Sequence, residues 1–208
     1  MEKENLIIRN EQEKDFGTVE NLVRESFWNV YRPGAAEHYV IHRFRDDKDF
    51  VKELDFVMEK DGKIIGQVIF VKAEVVSENG HSTPVLTLGP ICIAPEFKRK
   101  GYGKKLLDFS LEKAKEYGAG GVVIEGNIDF YGKSGFIVAK DKGIYYYDDE
   151  EADYLLLKEL KKGFFDGVKG YFKDPQGYFV CEREKDEFEK FEATFPKKIK
   201  EKSDEQIF

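Results

Sequence analysis

The first half of the chain alternates between helical and strand spacing of its hydrophobic residues. In chain order this pattern predicts a strand, two helices and two further strands: Leu6–Arg9, Glu13–Phe27, Ala36–Phe44, Leu54–Glu59 and Ile64–Val76. Asp61-Gly62 lies between the last two segments, and this dipeptide is typical of a tight β-hairpin turn. These two strands are therefore expected to pair with each other, with a third strand beside them.

An apolar strand is predicted next, over Val85–Ala94, and it contains Gly89 and Pro90. A glycine inside a strand often marks a bulge or the close approach of a ligand, and a proline removes one ladder donor. Tyr102–Tyr117 then carries an apolar stripe at helical spacing. The stripe consists of Leu106, Leu107, Leu111 and Ala114. We expect an amphipathic helix that ends at Gly118.

The remaining pattern is shorter and less regular. It predicts a strand, a helical turn, an extended segment and a helix: Val122–Glu125, Ile128–Ser134, Gly135–Val138 and Ala152–Lys161. The stretch GYFKDPQGYFV, residues 170–180, predicts two strands around a DPQG turn. Phe188, Phe191 and Phe195 recur at helical spacing, which favours packing against the body of the protein or a dimer partner. This order of elements indicates an α+β fold around one sheet.

Composition and charge narrow the class of protein. At 208 residues the chain is long enough for one well-packed domain, and its 41% hydrophobic and 14% aromatic content is typical of a globular protein. A formal net charge of -7 argues against a nucleic-acid partner held by phosphate neutralisation. Beyond Pro196 the sequence KKIKEKSDEQIF is mostly charged, and we expect it to be loosely held.

Cysteine usage and hydropathy favour a reduced, intracellular setting. Cys92 and Cys181 are far apart and lie beside apolar residues, so neither a disulfide framework nor a CxxC metal site is expected. The N-terminal MEKENLIIRN lacks the basic start and apolar run of a signal peptide, and no stretch approaches the roughly 18 apolar residues that span a bilayer. The expectation is a cytoplasmic protein without a membrane partner.

One basic stretch contrasts with the acidic composition. KRKGYGKK, Lys98–Lys105, places two glycines one residue apart between a predicted strand and a predicted helix. Backbone N–H groups at a helix start have no partner within the helix, glycine lets a ligand approach them, and the helix dipole attracts anions. A pyrophosphate, with several charged acceptor oxygens, suits such a loop. The alternative is a solvated basic surface without a ligand.

The sequence lacks two standard nucleotide-binding patterns. No GxxxxGK[ST] motif is present, and GxGxxG fails because Leu106 occupies the place of the third glycine. The basic loop by itself therefore leaves the identity of a phosphate ligand open.

Two linked motifs carry a family resemblance. GPICIAPEFKRKGYGKKLL, residues 89–107, followed by VVIEGNIDFYGKSGF, residues 122–136, resembles the GNAT superfamily of N-acetyltransferases. In that family an R/Q-x-x-G-x-G/A loop follows a bulged strand, and the next strand leads into an N…FYxxxGF segment; Lys98 occupies the usual Arg/Gln place. The resemblance covers residues 1–140 and implies a mixed, mainly antiparallel central sheet flanked by helices. Residues 141–196 would be a small α/β extension packed on this domain, and 197–208 a charged tail.

The resemblance also implies where acetyl-CoA would bind as cosubstrate. The strand ending at Ile93 would splay from Val122–Glu125, and the pantetheine arm would pair with the main chain of residues 91–93, as a peptide adds to a sheet edge. Amides from Arg99 to Lys104 would hold the pyrophosphate, with basic side chains near the nucleotide's third phosphate. The cofactor-binding residues predicted in this way are Ile91, Cys92, Ile93, Lys98, Arg99, Lys100, Gly101, Tyr102, Gly103, Lys104, Asn127 and Tyr131.

Acetyl transfer from a thioester to an amine needs a neutral amine, stabilisation of an oxyanion and a proton for the leaving thiolate. Tyr131 matches the family tyrosine that donates to the coenzyme sulfur and is the predicted general acid; a core aromatic is the alternative. Asn127 matches a position that contacts the pantetheine arm, with a helix N-cap as the alternative. The Ile93 amide is the predicted oxyanion donor. The candidate bases are Glu125, Glu96, His81 and an ordered water. Glu125 is the candidate that we assign to the catalytic residues; the alternative, which the resemblance also implies, is that positioning and a water relay replace a dedicated base.

Acceptor recognition is expected from the first two helices and the adjoining loops. The aromatic residues there are Trp28, Tyr31, Tyr39 and Phe44. An acidic protein with an aromatic entrance favours a cationic amine. His38 and His42 have the four-residue spacing of zinc ligands, but they do not form an HExxH motif, so no metal is expected. Cys92 is interpreted as a small core residue instead of a nucleophile.

The leading hypothesis for function is an N-acetyltransferase that transfers the acetyl group of acetyl-CoA to a primary amine of a small molecule or peptide. The reaction would proceed by direct attack in a ternary complex, in a monomer or homodimer. One alternative is a non-catalytic acyl-CoA-binding or sensing module, for which Tyr131 is unnecessary. A second is a phosphate-binding protein of another fold, for which ATP or NAD should compete with coenzyme A.

Overall fold

The computed structural model describes residues 5–202, which form a nine-stranded sheet with helices packed on its faces. The strands are β1 (Leu6–Asn10), β2 (Phe56–Lys60), β3 (Lys63–Val76), β4 (Ser82–Ile93), β5 (Gly121–Glu125), β6 (Ile137–Val138), β7 (Ile144–Tyr146), β8 (Leu155–Glu159) and β9 (Gly170–Phe172). The α-helices are α1 (Phe16–Phe27), α2 (Glu37–Phe44), α3 (Tyr102–Tyr117), α4 (Ile128–Tyr131), α5 (Val180–Arg183) and α6 (Lys185–Glu192). No helix in this part of the chain has both the length and the apolar character that a membrane crossing requires.

Seven strands form the main run of the sheet in the order β1-β2-β3-β4-β5-β8-β6, while β9 pairs with the far end of β3 and with β7. Neighbouring strands are antiparallel except for the β4–β5 and β7–β9 pairs, which are parallel. This mixed, mainly antiparallel sheet confirms the predicted α+β architecture.

Helices cover both faces of the central strands. Alternate residues of a strand point to opposite faces, so Val57 and Ile69 pack with α1 and α2, whereas Met58 and Phe70 pack with α3. A third apolar cluster joins β5 to the C-terminal part of the chain, and its members include Val85, Val123, Leu157, Phe165 and Phe172. The C-terminal part therefore contributes to the core.

Several predicted elements are confirmed. The β2–β3 turn contains Asp61 and Gly62 with φ of 51° and 80°, the left-handed conformations that a two-residue hairpin turn requires. Helix α3 begins and ends at the predicted residues, and Gly118 at its end has a φ of 105° with its N–H bonded to Ala114 O. Phe188, Phe191 and Phe195 pack against the body of the protein, around the ring of His38.

The helix predicted over Ala152–Lys161 is wrong, because strand β8 lies there. β8 pairs antiparallel with all five residues of β5 and with both residues of β6. Leu155, Leu156 and Leu157 are at most 1% exposed, so both faces of the strand are covered. A strand buried on both faces has a continuous apolar run instead of alternation, and this pairing overrides the helix preference of leucine.

The pair of strands predicted in residues 170–180 is half right. Gly170–Phe172 forms β9, but Gln176–Phe179 is a 3-10 turn that continues into α5. Cys181 lies behind this turn with its Sγ 3.6 Å from Ala36 O, and Gly177 lies against the ring of Phe44. Packing against α2 thus selects a helical segment where the local pattern favours a strand.

The charged segment after Pro196 differs from the expectation of a loosely held tail. Trp28 Nε1 donates to Ile199 O at 2.9 Å, and Lys198 Nζ lies 2.7 Å from a carboxylate oxygen of Glu25. Residues 197–201 therefore lie along the end of α1, whereas 203–208 fall outside the described residues. The division of the chain at residue 140 stays a prediction.

Candidate active site

Strands β4 and β5 form a wedge-shaped gap. Leu86 and Val122 form the single register pair between these parallel strands in the described part of the chain. Beyond this pair β4 continues to Ile93 and β5 to Glu125 without pairing with each other. The predicted splay is confirmed, and it leaves the main chain of residues 91–93 beside an open gap.

A β-bulge in β4 lies at the opening of this gap. Val68 of β3 pairs with Ile91 and Phe70 pairs with Leu88, so Gly89 and Pro90 oppose a single residue of β3. Gly89 has a φ of 144°, and its carbonyl accepts a hydrogen bond from Tyr178 Oη at 2.9 Å. The bulge predicted from Gly89 and Pro90 is confirmed, and it turns β4 away from β5.

The basic loop between β4 and α3 has the backbone conformation expected of an anion cradle. Arg99 and Gly101 have positive φ values of 60° and 83°, separated by one residue. Left-handed residues alternating with right-handed ones turn successive N–H groups toward one side, and the first amides of α3 add the unpaired donors of a helix start. The loop borders a cavity of about 650 Å³, here called the cofactor cleft, which extends to the gap between β4 and β5.

Most of the predicted cofactor-binding residues line this cleft. Those that do are Ile91, Cys92, Ile93, Lys98, Arg99, Gly101, Gly103, Lys104, Asn127 and Tyr131. Tyr102 and Lys100 do not: Tyr102 packs into the core beneath α3, and Lys100 Nζ turns back to Glu96 O at 2.9 Å. Lys133 also lines the cleft and was missed, because it lies outside the basic loop.

Two of the lysines at the loop are engaged within the protein. Lys98 Nζ donates to Ser26 O at 3.1 Å, in the last turn of α1, and Lys104 forms an ion pair with Asp108 one turn along α3. Lys98, at the family's Arg/Gln position, therefore ties α1 to the loop. Arg99 also borders the cleft, beside the backbone amides of the loop.

Tyr131 occupies the floor of the cleft. Its ring packs over the backbone of Gly126, where a Cβ would lie 2.4 Å from Tyr131 Cε2, and edge-on to Phe130 and Phe136. Burial raises the pKa of Tyr131 above its ordinary value, so the hydroxyl stays protonated. Asn127 caps α4, with Oδ1 accepting from Asp129 N at 2.7 Å, as the N-cap alternative predicted.

A second cavity of about 430 Å³ opens next to the cofactor cleft, on the side of the bulge. The two cavities share four lining residues, which are Tyr31, Ile91, Glu125 and Tyr131. The second cavity, here called the acceptor cavity, is also lined by residues from the C-terminal part of the chain, namely Tyr146, Asp174, Tyr178 and Phe179. The cavities meet beside Tyr131 and the end of β5.

Glu125 carries the most perturbed carboxyl at this junction. Although it faces open space, the surrounding protein desolvates it, and Asp174 adds a like charge and a hydrogen bond, so the pKa of Glu125 is raised to about 8. Tyr146 Oη donates to Asp174 Oδ2 at 2.5 Å. A carboxyl with a raised pKa in a cleft is suited to proton transfer near neutral pH.

The other candidate bases lie elsewhere. Glu96 is exposed and paired with Lys63, whose hydrogen bond lowers the pKa of Glu96. His81 lies in the turn between β3 and β4. Cys92 borders the cleft but is 6% exposed and belongs to the apolar cluster under α1 and α2, which confirms its interpretation as a core residue; burial also raises the pKa of its thiol to about 12.

Three of the four aromatic residues predicted to bind the acceptor pack elsewhere, and only Tyr31 lines the acceptor cavity. Trp28 binds the segment after Pro196, Tyr39 packs against α6, and Phe44 is buried against Tyr178. Their positions in and beside α1 and α2 placed them near the site, but the sequence did not indicate the direction in which each side chain points.

His38 and His42 belong to the contact between α2 and its neighbours. Burial lowers the pKa of His38 to about 4, and its Nε2 lies 2.9 Å from Glu192 Oε2. His42 Nδ1 lies 2.9 Å from Glu20 Oε1. Within residues 5–202 no three His, Cys, Asp or Glu side chains come together in a way that could hold a metal ion.

Sequence comparison relates the chain to acetyltransferases. The model of the Acetyltransferase (GNAT) family matches residues 21–136. The "Uncharacterized N-acetyltransferase YhbS" of Escherichia coli K12 is 25% identical over 134 residues, which cover 64% of this chain and 75% of that protein.

Structural comparison agrees on the fold. The crystal structure of the GNAT family N-acetyltransferase YhbS from Escherichia coli in complex with CoA has a TM-score of 0.73 and 23% identity, covering 86% of this chain and 94% of that one. A GNAT family acetyltransferase from Brucella melitensis in complex with acetyl-CoA has a TM-score of 0.67 and 21% identity, covering 84% and 98%.

Proposed function

The chain belongs to the GNAT acetyltransferase family, and on this premise we propose that it transfers the acetyl group of acetyl-CoA to a primary amine bound in the acceptor cavity. The observation that carries the proposal is the meeting of two cavities at Glu125 and Tyr131, one bordered by an anion cradle and the other by aromatic and carboxyl side chains. A reaction between two substrates needs such a junction, because the reacting atoms must come within about 3–3.5 Å.

The residues of the cofactor cleft fit coenzyme A. The loop amides around Arg99 and Gly101 would hold the pyrophosphate. The open main chain of residues 91–93 would pair with the amides of the pantetheine arm. When bound, acetyl-CoA supplies an activated thioester, and the structural relatives crystallised with CoA or acetyl-CoA support this choice of cosubstrate.

Glu125 and Tyr131 divide the proton transfers between them. Glu125 accepts one proton from the acceptor ammonium and leaves a neutral amine. As the C–N bond forms and the C–S bond breaks, the sulfur takes up a proton, for which the protonated Tyr131 hydroxyl is the donor. The second proton lost by the nitrogen restores that hydroxyl through solvent, so one proton is released overall. The Ile93 amide, at the open end of β4, is proposed to stabilise the oxyanion.

The first test is thermal unfolding with acetyl-CoA, CoA, ATP and NAD in separate samples. A ligand at about 100 times its Kd adds about 2.7 kcal/mol to the stability of the folded state, which moves the midpoint by several degrees. We expect a shift with the two coenzyme A forms alone. An amine screen with thiol release as readout follows, and binding without turnover over the whole panel would instead favour the non-catalytic alternative.

A glycine pair provides a matched control for the cradle. Gly101 and Gly80 have φ values of 83° and 82°, and at both positions a Cβ would meet open space. Valine is strained at such a φ, so both substitutions should lower the unfolding midpoint to a similar degree. Only Gly101→Val should weaken CoA binding, and unchanged affinity in that variant would count against the cradle.

A further inference from the structure

Two residues from the C-terminal part of the protein lie beside the predicted base. Tyr146 Oη donates to Asp174 Oδ2 at 2.5 Å, and the Asp174 carboxyl acts on Glu125 as a like charge that helps to raise the pKa of Glu125. All three side chains line the acceptor cavity, and Glu125 also lines the cofactor cleft. Asp174 therefore places a second carboxyl next to the point where the acceptor nitrogen must lie if the proposed function holds.

We propose that Asp174 is a specificity-determining residue, which restricts the acceptor to primary amines without a carboxylate beside the amino group. This inference rests on the proposed function. An ammonium ion next to Glu125 gains attraction from the Asp174 carboxylate, and from Glu125 as well once Glu125 has lost its proton. A carboxylate on the neighbouring carbon of the substrate would face them at close range, and like charges at such a distance select strongly against a ligand.

The other charged residues that line the cavity do not give the carboxylate of such a substrate a strong binding site elsewhere. Arg32 and Glu37 also line the cavity, and the two interact electrostatically with each other. Glu37 Oε2 in addition accepts the Ala36 N–H at 2.9 Å, at the start of α2. One wall of the cavity thus holds a cation beside a carboxyl, whereas the wall beside Tyr131 holds the two acidic residues Glu125 and Asp174.

The experiment uses three substrates with the same body. These are 2-phenylethylamine, phenylalanine and phenylalaninamide, in which the group beside the amine is hydrogen, a carboxylate or a neutral amide. For the wild-type protein we expect kcat/KM for 2-phenylethylamine to exceed that for phenylalanine by about 100-fold, as estimated for close like charges. Phenylalaninamide should be accepted, because it has the shape of phenylalanine without the charge.

Three variants separate charge from structure. Asp174→Asn keeps the size of the side chain and the hydrogen bond from Tyr146 but removes the charge. The ratio of kcat/KM for 2-phenylethylamine to kcat/KM for phenylalanine should therefore fall about tenfold. Tyr146→Phe keeps the charge and should keep the ratio. Asp149→Asn is the matched control: Asp149 accepts from Tyr154 Oη at 3.2 Å in the same part of the chain but does not line the cavity.

Each outcome decides the proposal. The proposal is supported if the ratio of kcat/KM for 2-phenylethylamine to kcat/KM for phenylalanine falls in Asp174→Asn and in neither of the other variants. If Asp174→Asn does not fold, the kcat/KM of the wild-type protein for phenylalaninamide provides the same test. Three results would overturn the proposal about Asp174: an unchanged ratio in Asp174→Asn, a wild-type preference for phenylalanine, or CoA binding with no transfer to any of the three substrates. None of them would contradict CoA binding in the cofactor cleft. Absence of a thermal shift with CoA or acetyl-CoA would instead show that the proposed function itself fails.

Discussion

The contact between Gly126 and the Tyr131 ring leads to a sharp prediction about catalysis. A Cβ at position 126 would lie 2.4 Å from Tyr131 Cε2 and 2.6 Å from Cδ2, about 1 Å inside ordinary carbon contact. The ring can move only by disturbing its contacts with Phe130 and Phe136, which are packed against it with centroid distances of 4.9 and 5.5 Å. Gly126→Ala should therefore displace Tyr131 by about 1 Å, since the backbone is the less yielding partner.

The displacement should affect the chemical step more than binding. A misplacement of about 1 Å can lower a rate by about 100-fold, and overpacking lowers stability by about 1–3 kcal/mol. We expect kcat for acetyl transfer to fall by about two orders of magnitude in Gly126→Ala, while the thermal shift given by CoA persists. Steady-state kinetics with thiol release, read beside the unfolding midpoint of each variant, measures both quantities.

Gly132→Ala is the matched control for this prediction. A Cβ at residue 132 would meet Ile128 Cδ1 at 3.5 Å, an ordinary contact, directly after the same short helix α4. This variant should retain kcat within a few-fold. If Gly126→Ala folds, binds CoA and turns over at the wild-type rate, the position of Tyr131 is not what limits acetyl transfer, and its assignment as the proton donor is refuted.

Three further predictions concern groups around the site. With acceptor below saturation, the rate should rise through about pH 8 as Glu125 loses its proton, because desolvation by the surrounding protein and the nearby Asp174 raise the pKa of Glu125 to about 8. In Glu125→Gln that rise should vanish, leaving only the amine's own titration at higher pH. Glu192→Gln should lower the free energy of unfolding in urea by about 3–5 kcal/mol, because Arg24, 1% exposed, loses the nearer of its ion-pair partners and keeps only the longer contact with Glu25 at 3.6 Å. A loss below 1 kcal/mol would contradict this. Lys98→Met should lower the unfolding midpoint, because Lys98 Nζ donates a hydrogen bond to Ser26 O, while the Kd for CoA should change less than threefold. A large loss of CoA affinity would instead place Lys98 among the phosphate-binding groups.

Features that depend on neighbours in sequence were predictable. Helix α3 is specified by its apolar stripe and Gly118, and the β2–β3 turn by Asp61-Gly62. The cofactor cleft was accessible for the same reason, since the bulge, the basic loop and Tyr131 lie within 43 residues of one another in the chain, from 89 to 131. Local signals indicated the bulge and the basic loop, because backbone conformation at a few residues creates them, whereas the choice of acetyl-CoA and the role of Tyr131 were implied by the family resemblance of residues 89–107 and 122–136.

Features that depend on distant partners were not predictable. Leu155–Leu157 have no alternation to indicate a strand, and their conformation is decided by pairing with β5, which begins at Gly121. The acceptor cavity combines Tyr31, Tyr146 and Asp174, which lie far apart in the chain and follow no period. Asp174 in particular stands in a DPQG sequence, where an acidic residue is ordinarily explained by the turn alone.

The C-terminal part of the chain accounts for the shape of the cofactor cleft as well as for the acceptor cavity. β5 forms five register pairs with β8 but one with β4, so its position is set from the C-terminal side. The rings of Phe164 and Phe165 press on the strand's start, where a Cβ at Gly120 or Gly121 would lie 2.0 or 2.4 Å from them. Because β5 is held by β8 and these rings, it cannot close onto β4 beyond Leu86. The gap that would admit the pantetheine arm is thus maintained by residues outside the segment that matches the family, and substitutions at Gly121 or in β8 should weaken CoA binding without touching the basic loop.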